Sequence, residues 1–364
     1  MKALAFAHRP IVQRSNTDLR YMHSLRAMHR YGDVDFVLPD DFVLDVTENA
    51  SALRRVIAAR LGWCLPANDD LIPAMERRLA RLRRQESWDI FYTNGSVPDS
   101  ADLGAVIRFD YIHEPLETTD PGAFARDVAL KTRTAALCDA VQVSTRSQKA
   151  LFVRIGVPEE KVAVVPFFLP HAEAAPTERI VAKQKRADPL RIAFVGHQAR
   201  RKGLDALLEA IDHDALRGVP LELTVVSKFL DGPVELPRTE RVLRHRELMR
   251  SAVMKLLGDA HVLAVPSRRE TFGLVYVEAM AAGAIPVTAA GPQQEDICSG
   301  TTAGFPTGSD PERIAAALRT LYEDRDRRIE TALAARDLFC RRYAPAVVAG
   351  QYRDMFTDAV ARRR

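Results

Sequence analysis

"HVLAVPSRRETFGLVYVEAMAAG", residues 261–283, carries two glutamates eight positions apart, Glu270 and Glu278. Residues 261–267 are a short apolar run that reads as a buried strand. Pro266 to Arg269 reads as a loop, and 272–282 as a helix closed by Gly283. A buried strand passing through a short loop into a helix is the repeating unit of a parallel sheet covered on both faces.

The spacing limits what the two carboxylates can do. A helix rises about 1.5 Å per residue, so residues eight apart on one continuous helix lie roughly 12 Å apart. Glycosidase carboxylates flank a single bond at about 5 to 9.5 Å. An acid/base pair on one bond is therefore excluded on a continuous helix. With Glu270 in the loop and Glu278 in the helix, one extended ligand bridges both. A nucleotide sugar, with sugar, diphosphate and ribose in a row, is such a ligand. Phe272, Gly273 and Leu274 would open the helix, where N–H groups lack intrahelical partners and the dipole is positive. Gly273 lets an anion approach the main chain there, with Thr271 just before it.

Around this stretch the alternation of strand and helix continues. Strands are expected at 190–196, 221–227 and 284–290, with helices at 203–213, 248–258 and 310–324. The first half repeats the pattern, with strands at 2–7, 34–38, 88–93, 105–112, 140–144 and 162–167. Helices fall at 17–31, 71–86, 124–138 and 146–155. The polar stretch 171–189, bracketed by Pro176 and Pro189, reads as a connection between the two series. The expected fold class is thus α/β, with two Rossmann-like doubly wound domains, 1–170 and 190–343, facing across a cleft. Ligands of such sheets sit at the carboxyl ends of the strands. A further amphipathic helix occupies the segment 344–364.

A second constellation starts the later series. In "FVGHQARRKGLDALLEA", 194–210, a strand ends at Gly196, a basic loop follows, and Lys202-Gly203 opens a helix. Lys202 is placed to neutralise a phosphate, with His197, Arg200 and Arg201 as neighbours. The glycines are too few for a Walker loop or a GxGxxG turn. A dinucleotide-dependent oxidoreductase is disfavoured on that ground.

Composition removes other classes. A chain of 364 residues suits two domains, and its net charge of +4 does not indicate a nucleic-acid partner. Four scattered cysteines argue for reduced thiols in the cytoplasm and against a metal site. The N-terminal "MKALAFAHRP" reads as a strand rather than a signal peptide. The helix 71–86 has Leu71, Met75, Leu79 and Leu82 on one face and Arg77, Arg78, Arg81 and Arg84 on the other. Its plainer reading is a solvated face; the sharper one is peripheral contact with the inner, anionic face of a membrane.

Residues 191–343 resemble the C-terminal domain of the family 4 retaining glycosyltransferases of the GT-B fold (glycosyltransferases group 1). The resemblance rests on the strand-G-x5-K-G start, the P-S-x2-E-x-F-G-L-x3-E-A-M-A-x-G core and the "AGPQQE" loop, in that order. It implies a hexosyltransferase that moves a sugar from a UDP- or GDP-sugar with retention, with no cofactor and no metal in the active site. It also implies that Glu270 meets donor-sugar hydroxyls and Glu278 ribose hydroxyls. Lys202 and the backbone of Phe272 to Leu274 would hold the diphosphate. The last helix, 345–362, would cross back to the N-terminal, acceptor-binding domain. His113, at a strand end in "VIRFDYIHEP", sits where the family often has a histidine facing the donor sugar. Lys202, Glu270 and His113 are thus the candidate catalytic residues.

Two departures stand out. His197 replaces the arginine that commonly follows the first strand, and a neutral imidazole holds phosphate less strongly. Pro292 replaces the second glycine of the usual pair and has no N–H to donate. The expected role is synthesis of a bacterial glycan, glycolipid or polysaccharide, on a glycan, lipid-linked or small-molecule acceptor. The alternatives are a sugar-nucleotide epimerase of the same fold and a non-catalytic sugar-nucleotide binder.

Overall fold

The computed structural model describes residues 1–9, 25–32, 34–37, 43–45, 72–85, 87–94, 97, 103–110, 120–186, 188–227, 242–268, 270, 272–298 and 302–363. The chain divides into two compact units: Met1–Pro170 together with Val348–Arg364, and His171–Val347.

In the first unit the strands are β1 (Lys2–Arg9), β2 (Asp35–Val37), β3 (Val43–Asp45), β4 (Ile90–Asn94), β5 (Ala105–Phe109), β6 (Ala140–Val143) and β7 (Val162–Val164). The helices between them are α1 (Ile72–Arg83), α2 (Pro121–Ala136) and α3 (Arg146–Arg154), preceded by a 3-10 turn at Arg26–Tyr31. The sheet runs β2-β1-β4-β5-β6-β7, with β3 also against β1, and the pairs are parallel. Alternate residues serve opposite faces, as a pleated strand requires. Ala3, Ala5, Ile90, Tyr92 and Ile107 face one core; Leu4, Phe91, Val106 and Val141 face the other. Both faces are buried, which is why these strands read as continuous apolar runs.

The terminal helix, Pro345–Arg363, covers the first of these faces. Its Val348, Tyr352, Met355 and Phe356 are buried in the same cluster as β1, β4 and β5. Gln142 of β6 fixes its position. The wholly buried Gln142 amide accepts from the Tyr92 hydroxyl at 2.7 Å and donates to the Tyr352 hydroxyl and the Val165 carbonyl, each at 2.9 Å. Both donors of that amide and one of its two lone pairs are thereby engaged.

The second unit comprises α4 (Thr177–Gln184), β8 (Leu190–Val195), α5 (Leu204–Ile211), β9 (Leu221–Val226), β10 (Val242–His245), α6 (Arg250–Asp259), β11 (Val262–Val265), α7 (Leu274–Ala282), β12 (Ile285–Thr288), α8 (Pro292–Cys298), β13 (Phe305–Pro306), α9 (Pro311–Glu323) and α10 (Arg325–Arg342). Its sheet is parallel, in the order β10-β9-β8-β11-β12-β13. The strand order reverses between β8 and β11. That reversal leaves a crevice outside the carboxyl ends of the two strands, the topological switch point of a doubly wound sheet.

Three expectations are corrected. The stretch 171–189 is not a free connection, because α4 packs into the second unit with Ile180, Lys183 and Gln184 buried. Lys183 Nζ donates to the carbonyls of Ala282 at 2.9 Å and Leu257 at 3.3 Å, capping the last turns of α7 and α6. Gln184 donates to Gly283 O at 2.9 Å, and the fully buried Arg328 binds Gln184 O and Arg186 O. The polar composition serves these carbonyls rather than solvent. Helix α10 has no counterpart among the expected helices; its buried stripe opens with Arg328, Thr331, Ala332 and Ala335 before Leu338 and Phe339, which gives little apolar period over its first turns. The "AGPQQE" loop is itself the start of α8, with Pro292 at the favoured first position.

His261, just before β11, ties α4 to the sheet and makes the second unit acid-sensitive. Its Nδ1 accepts the Arg191 N–H at 3.0 Å, so Nε2 carries the proton and donates to Lys183 O at 3.0 Å. Burial, and then the charge of Arg328, push its pKa down to about 4 from 6.5. The unfolded chain takes up a proton near 6.5 that the native state refuses until about 4. Its stabilising contribution is therefore complete above 6.5 and lost as pH falls from 6.5 to 4. The loss is on the order of 3 kcal/mol. Urea unfolding across this range should show a steeper decline for the wild type than for His261→Gln; equal declines would refute the assignment.

Candidate functional site

The turn after β8 and the turn after β11 meet at the switch point. Lys202, from the first, directs its ammonium onto Glu270 Oε2, from the second, and both side chains are almost wholly buried. Ser267 Oγ donates to the same oxygen at 3.3 Å. Gly196 makes room for this reach, since a Cβ there would press on the Lys202 stem at 3.0 Å.

Gly203 sets the closeness of the two turns. It sits in the left-handed region at φ 79°, and a side chain there would overlap the carbonyl of Pro266. Arg268 closes the junction from the other side. Its N–H donates to Arg201 O at 2.9 Å, and its guanidinium binds Arg200 O and Asp205 Oδ1, each at 2.6 Å. Gly203→Ala should therefore part the turns, costing roughly 2 to 5 kcal/mol through strain and overlap. Thermal melting checks it: an unshifted midpoint would show that the junction is not tight.

Helix α7 begins at Leu274, two residues later than expected. Gly273 adopts φ 82° and so cannot lie inside a right-handed helix. Phe272 consequently turns inward, 2% exposed, with its ring edge-on to Tyr343. The Tyr276 N–H donates to Gly273 O at 2.9 Å, while the N–H groups of Leu274 and Val275 lie ahead of the first intrahelical bond, at the positive end of the dipole. Tyr276 braces the same turn by donating to Val265 O at 2.7 Å.

Glu278 lies within α7 and is wholly buried. Its Oε1 accepts from Arg250 Nη1 at 2.6 Å and His171 Nε2 at 2.7 Å. Its Oε2 is buried with no hydrogen-bond partner among the described residues. A carboxylate oxygen left so is costly unless a further donor completes it.

The other candidates are distributed differently. His197 is exposed at the turn after β8. Arg200 lies 3.9 Å from Asp205, and Arg201 Nε donates to Gln198 Oε1 at 2.5 Å, so it is Lys202 that turns to the Glu270 carboxylate. His113, Thr271 and Leu71 lie outside the described residues, as does the loop 228–241. In α1, Leu79 is buried in the first unit's own core, and Arg83 stacks 4.5 Å over Trp88 while donating to its carbonyl. The part of the apolar face that is described therefore covers protein. Among the described residues no helix is long and apolar enough to cross a membrane. Sequence reasoning missed His171, Arg250 and Arg268. None has a local signal, because each acts on a residue far along the chain.

The doubly wound second unit, with a lysine-bearing turn, a glutamate-bearing turn and a helix N-terminus at its switch point, has the architecture of a GT-B domain. Residues 189–324 match the family model described as glycosyl transferases group 1. The chain is 28% identical over 318 residues to a D-inositol 3-phosphate glycosyltransferase of Xylanimonas cellulosilytica, covering 78% of this chain and 75% of the relative. It is 34% identical over 215 residues to the Corynebacterium kroppenstedtii protein of that name, covering 54% of this chain and 47% of the relative. Among solved structures, the Thermosynechococcus elongatus sucrose-phosphate synthase superposes with a TM-score of 0.67 at 17% identity, over 98% of this chain and 99% of the other. Anabaena HepE in complex with UDP and glucose gives a TM-score of 0.64 at 15% identity, over 98% and 99%. These two share the fold. Residues 189–324 thus match a group 1 glycosyltransferase domain, and the comparisons support an enzyme of the hexosyl-transferring class.

Proposed function

We propose that the protein transfers a hexose from a UDP- or GDP-sugar, with retention of anomeric configuration, to a hydroxyl of a small or glycan acceptor. The observation that carries this reading is the meeting of Lys202 and Glu270 at the switch point, beside the N-terminus of α7. With the donor bound, the ammonium of Lys202 and the first N–H groups of α7 take the diphosphate. Glu270, released from Lys202, accepts from hydroxyls of the sugar. Glu278 Oε2, buried and unsatisfied by the described residues, accepts from the ribose.

Negative charge grows on the diphosphate as the glycosidic bond breaks. Fixed donors aimed at that position lower the barrier without reorganising. His113 is proposed as a contact of the donor sugar. Inositol 3-phosphate is the first acceptor to try, because the relatives are named for it.

The test incubates the protein with UDP- and GDP-hexoses, with and without that acceptor. Slow donor hydrolysis, accelerated transfer with acceptor and an unchanged anomer in the product support the reading. Interconversion of two nucleotide sugars would instead make the protein an epimerase, and binding without turnover a sensor.

A further inference from the structure

We propose that His171 and Arg250 are positioning residues for recognition of the nucleotide ribose, acting through Glu278. The inference rests on the proposed donor reading and concerns two residues from remote parts of the second unit. His171 is the first residue of that unit, ahead of α4, and Arg250 opens α6. Both nevertheless converge on one oxygen of one carboxylate, Glu278 Oε1, at 2.7 Å and 2.6 Å.

The convergence has a directional consequence. A carboxylate has two oxygens and rotates about its last bond, so an unrestrained glutamate shares its donors between them. Two donors fixed on Oε1 lock that rotation and leave Oε2 wholly dependent on some other donor. Among the described residues Oε2 has none, although Glu278 is fully buried. For packing alone, a neutral residue at 278 would avoid the cost of this oxygen. The arrangement suits a ligand that supplies hydroxyl hydrogens, as the 2′- and 3′-hydroxyls of a ribose do. Arg250 is half exposed and His171 less so, whereas Glu278 is not exposed at all.

The experiment measures binding of UDP, GDP and the corresponding 2′,3′-dideoxynucleotides to the full chain by calorimetry. The wild type should prefer the ribonucleotide to its dideoxy analogue by about tenfold or more, the worth of a hydrogen bond to a charged group. His171→Ala and Arg250→Met should each weaken ribonucleotide binding by about tenfold while leaving the dideoxy analogue nearly unchanged. The preference thus collapses. His171→Gln, whose amide can still donate, should restore much of it. Melting midpoints show that each variant is folded, and Arg250→Met keeps the aliphatic stem should His171→Ala not fold. A preference unaltered in the folded variants overturns the proposal, and so does an equal loss for both nucleotides. Failure of the wild type to bind either diphosphate would instead defeat the donor reading itself.

Discussion

Replacing Lys202 by alanine is expected to lower turnover of the donor about a hundred- to a thousandfold, the usual effect of removing one preorganised partner of a developing anion. Lys202 is the basic side chain of its turn that reaches the Glu270 carboxylate. Arg200 and Arg201 face Asp205 and Gln198 instead. The loss has two components that a second variant separates. Without Lys202, Glu270 keeps the Ser267 hydroxyl at 3.3 Å but loses the ammonium that balances its charge, which disfavours an incoming diphosphate. Pairing Lys202→Ala with Glu270→Gln removes that repulsion but supplies no cation for the leaving group. Steady-state rates at saturating donor should therefore stay low in the double variant. Recovery to near wild-type turnover would show that Lys202 serves only to neutralise Glu270.

Removing residues 345–364 is expected to unfold the first unit. Val348, Tyr352, Met355 and Phe356 are buried against its sheet. Tyr352 and Phe356 also join Phe36 and Tyr92 in a cluster of edge-on rings, with centroids 5.6 to 6.2 Å apart. At about 1.5 to 3 kcal/mol for each large apolar side chain, the helix contributes roughly 6 to 12 kcal/mol. That approaches the roughly 5 to 15 kcal/mol by which a domain is stable. Deletion also leaves the buried Gln142 amide short of the Tyr352 hydroxyl. Limited proteolysis with mass spectrometry gives the readout. Residues 1–170 should be digested quickly while 171–344 persists, and a protease-resistant first unit would contradict the account.

The strands most legible in the sequence are those buried on both faces. β8, β9, β11 and β12 fall within a few residues of the expected ranges, because continuous apolar runs bounded by loop residues leave little choice. β3, β10 and β13 have no counterpart among the expected strands. They are two to four residues long, and β10 is half-buried at best. Helix α4 is hidden by its polarity, since Lys183 and Gln184 are buried to bind carbonyls rather than apolar surface. Helix α10 is hidden by its alanines and by Arg328, a charged residue at a fully buried position.

The site divides in the same way. Sequence order determined that Lys202 and Glu270 both follow buried strands, and that Glu278 falls within a helix after a Phe-Gly turn. These are properties of consecutive residues, governed by periodicity and by glycine's access to positive φ. Only the tertiary structure decided that the two turns adjoin, because the reversal of strand order between β8 and β11 depends on which strands pair. It alone decided that Lys202 rather than its arginine neighbours meets the carboxylate. And it alone brought His171 and Arg250 onto Glu278, across 107 and 28 residues of sequence, where no local pattern can record the contact.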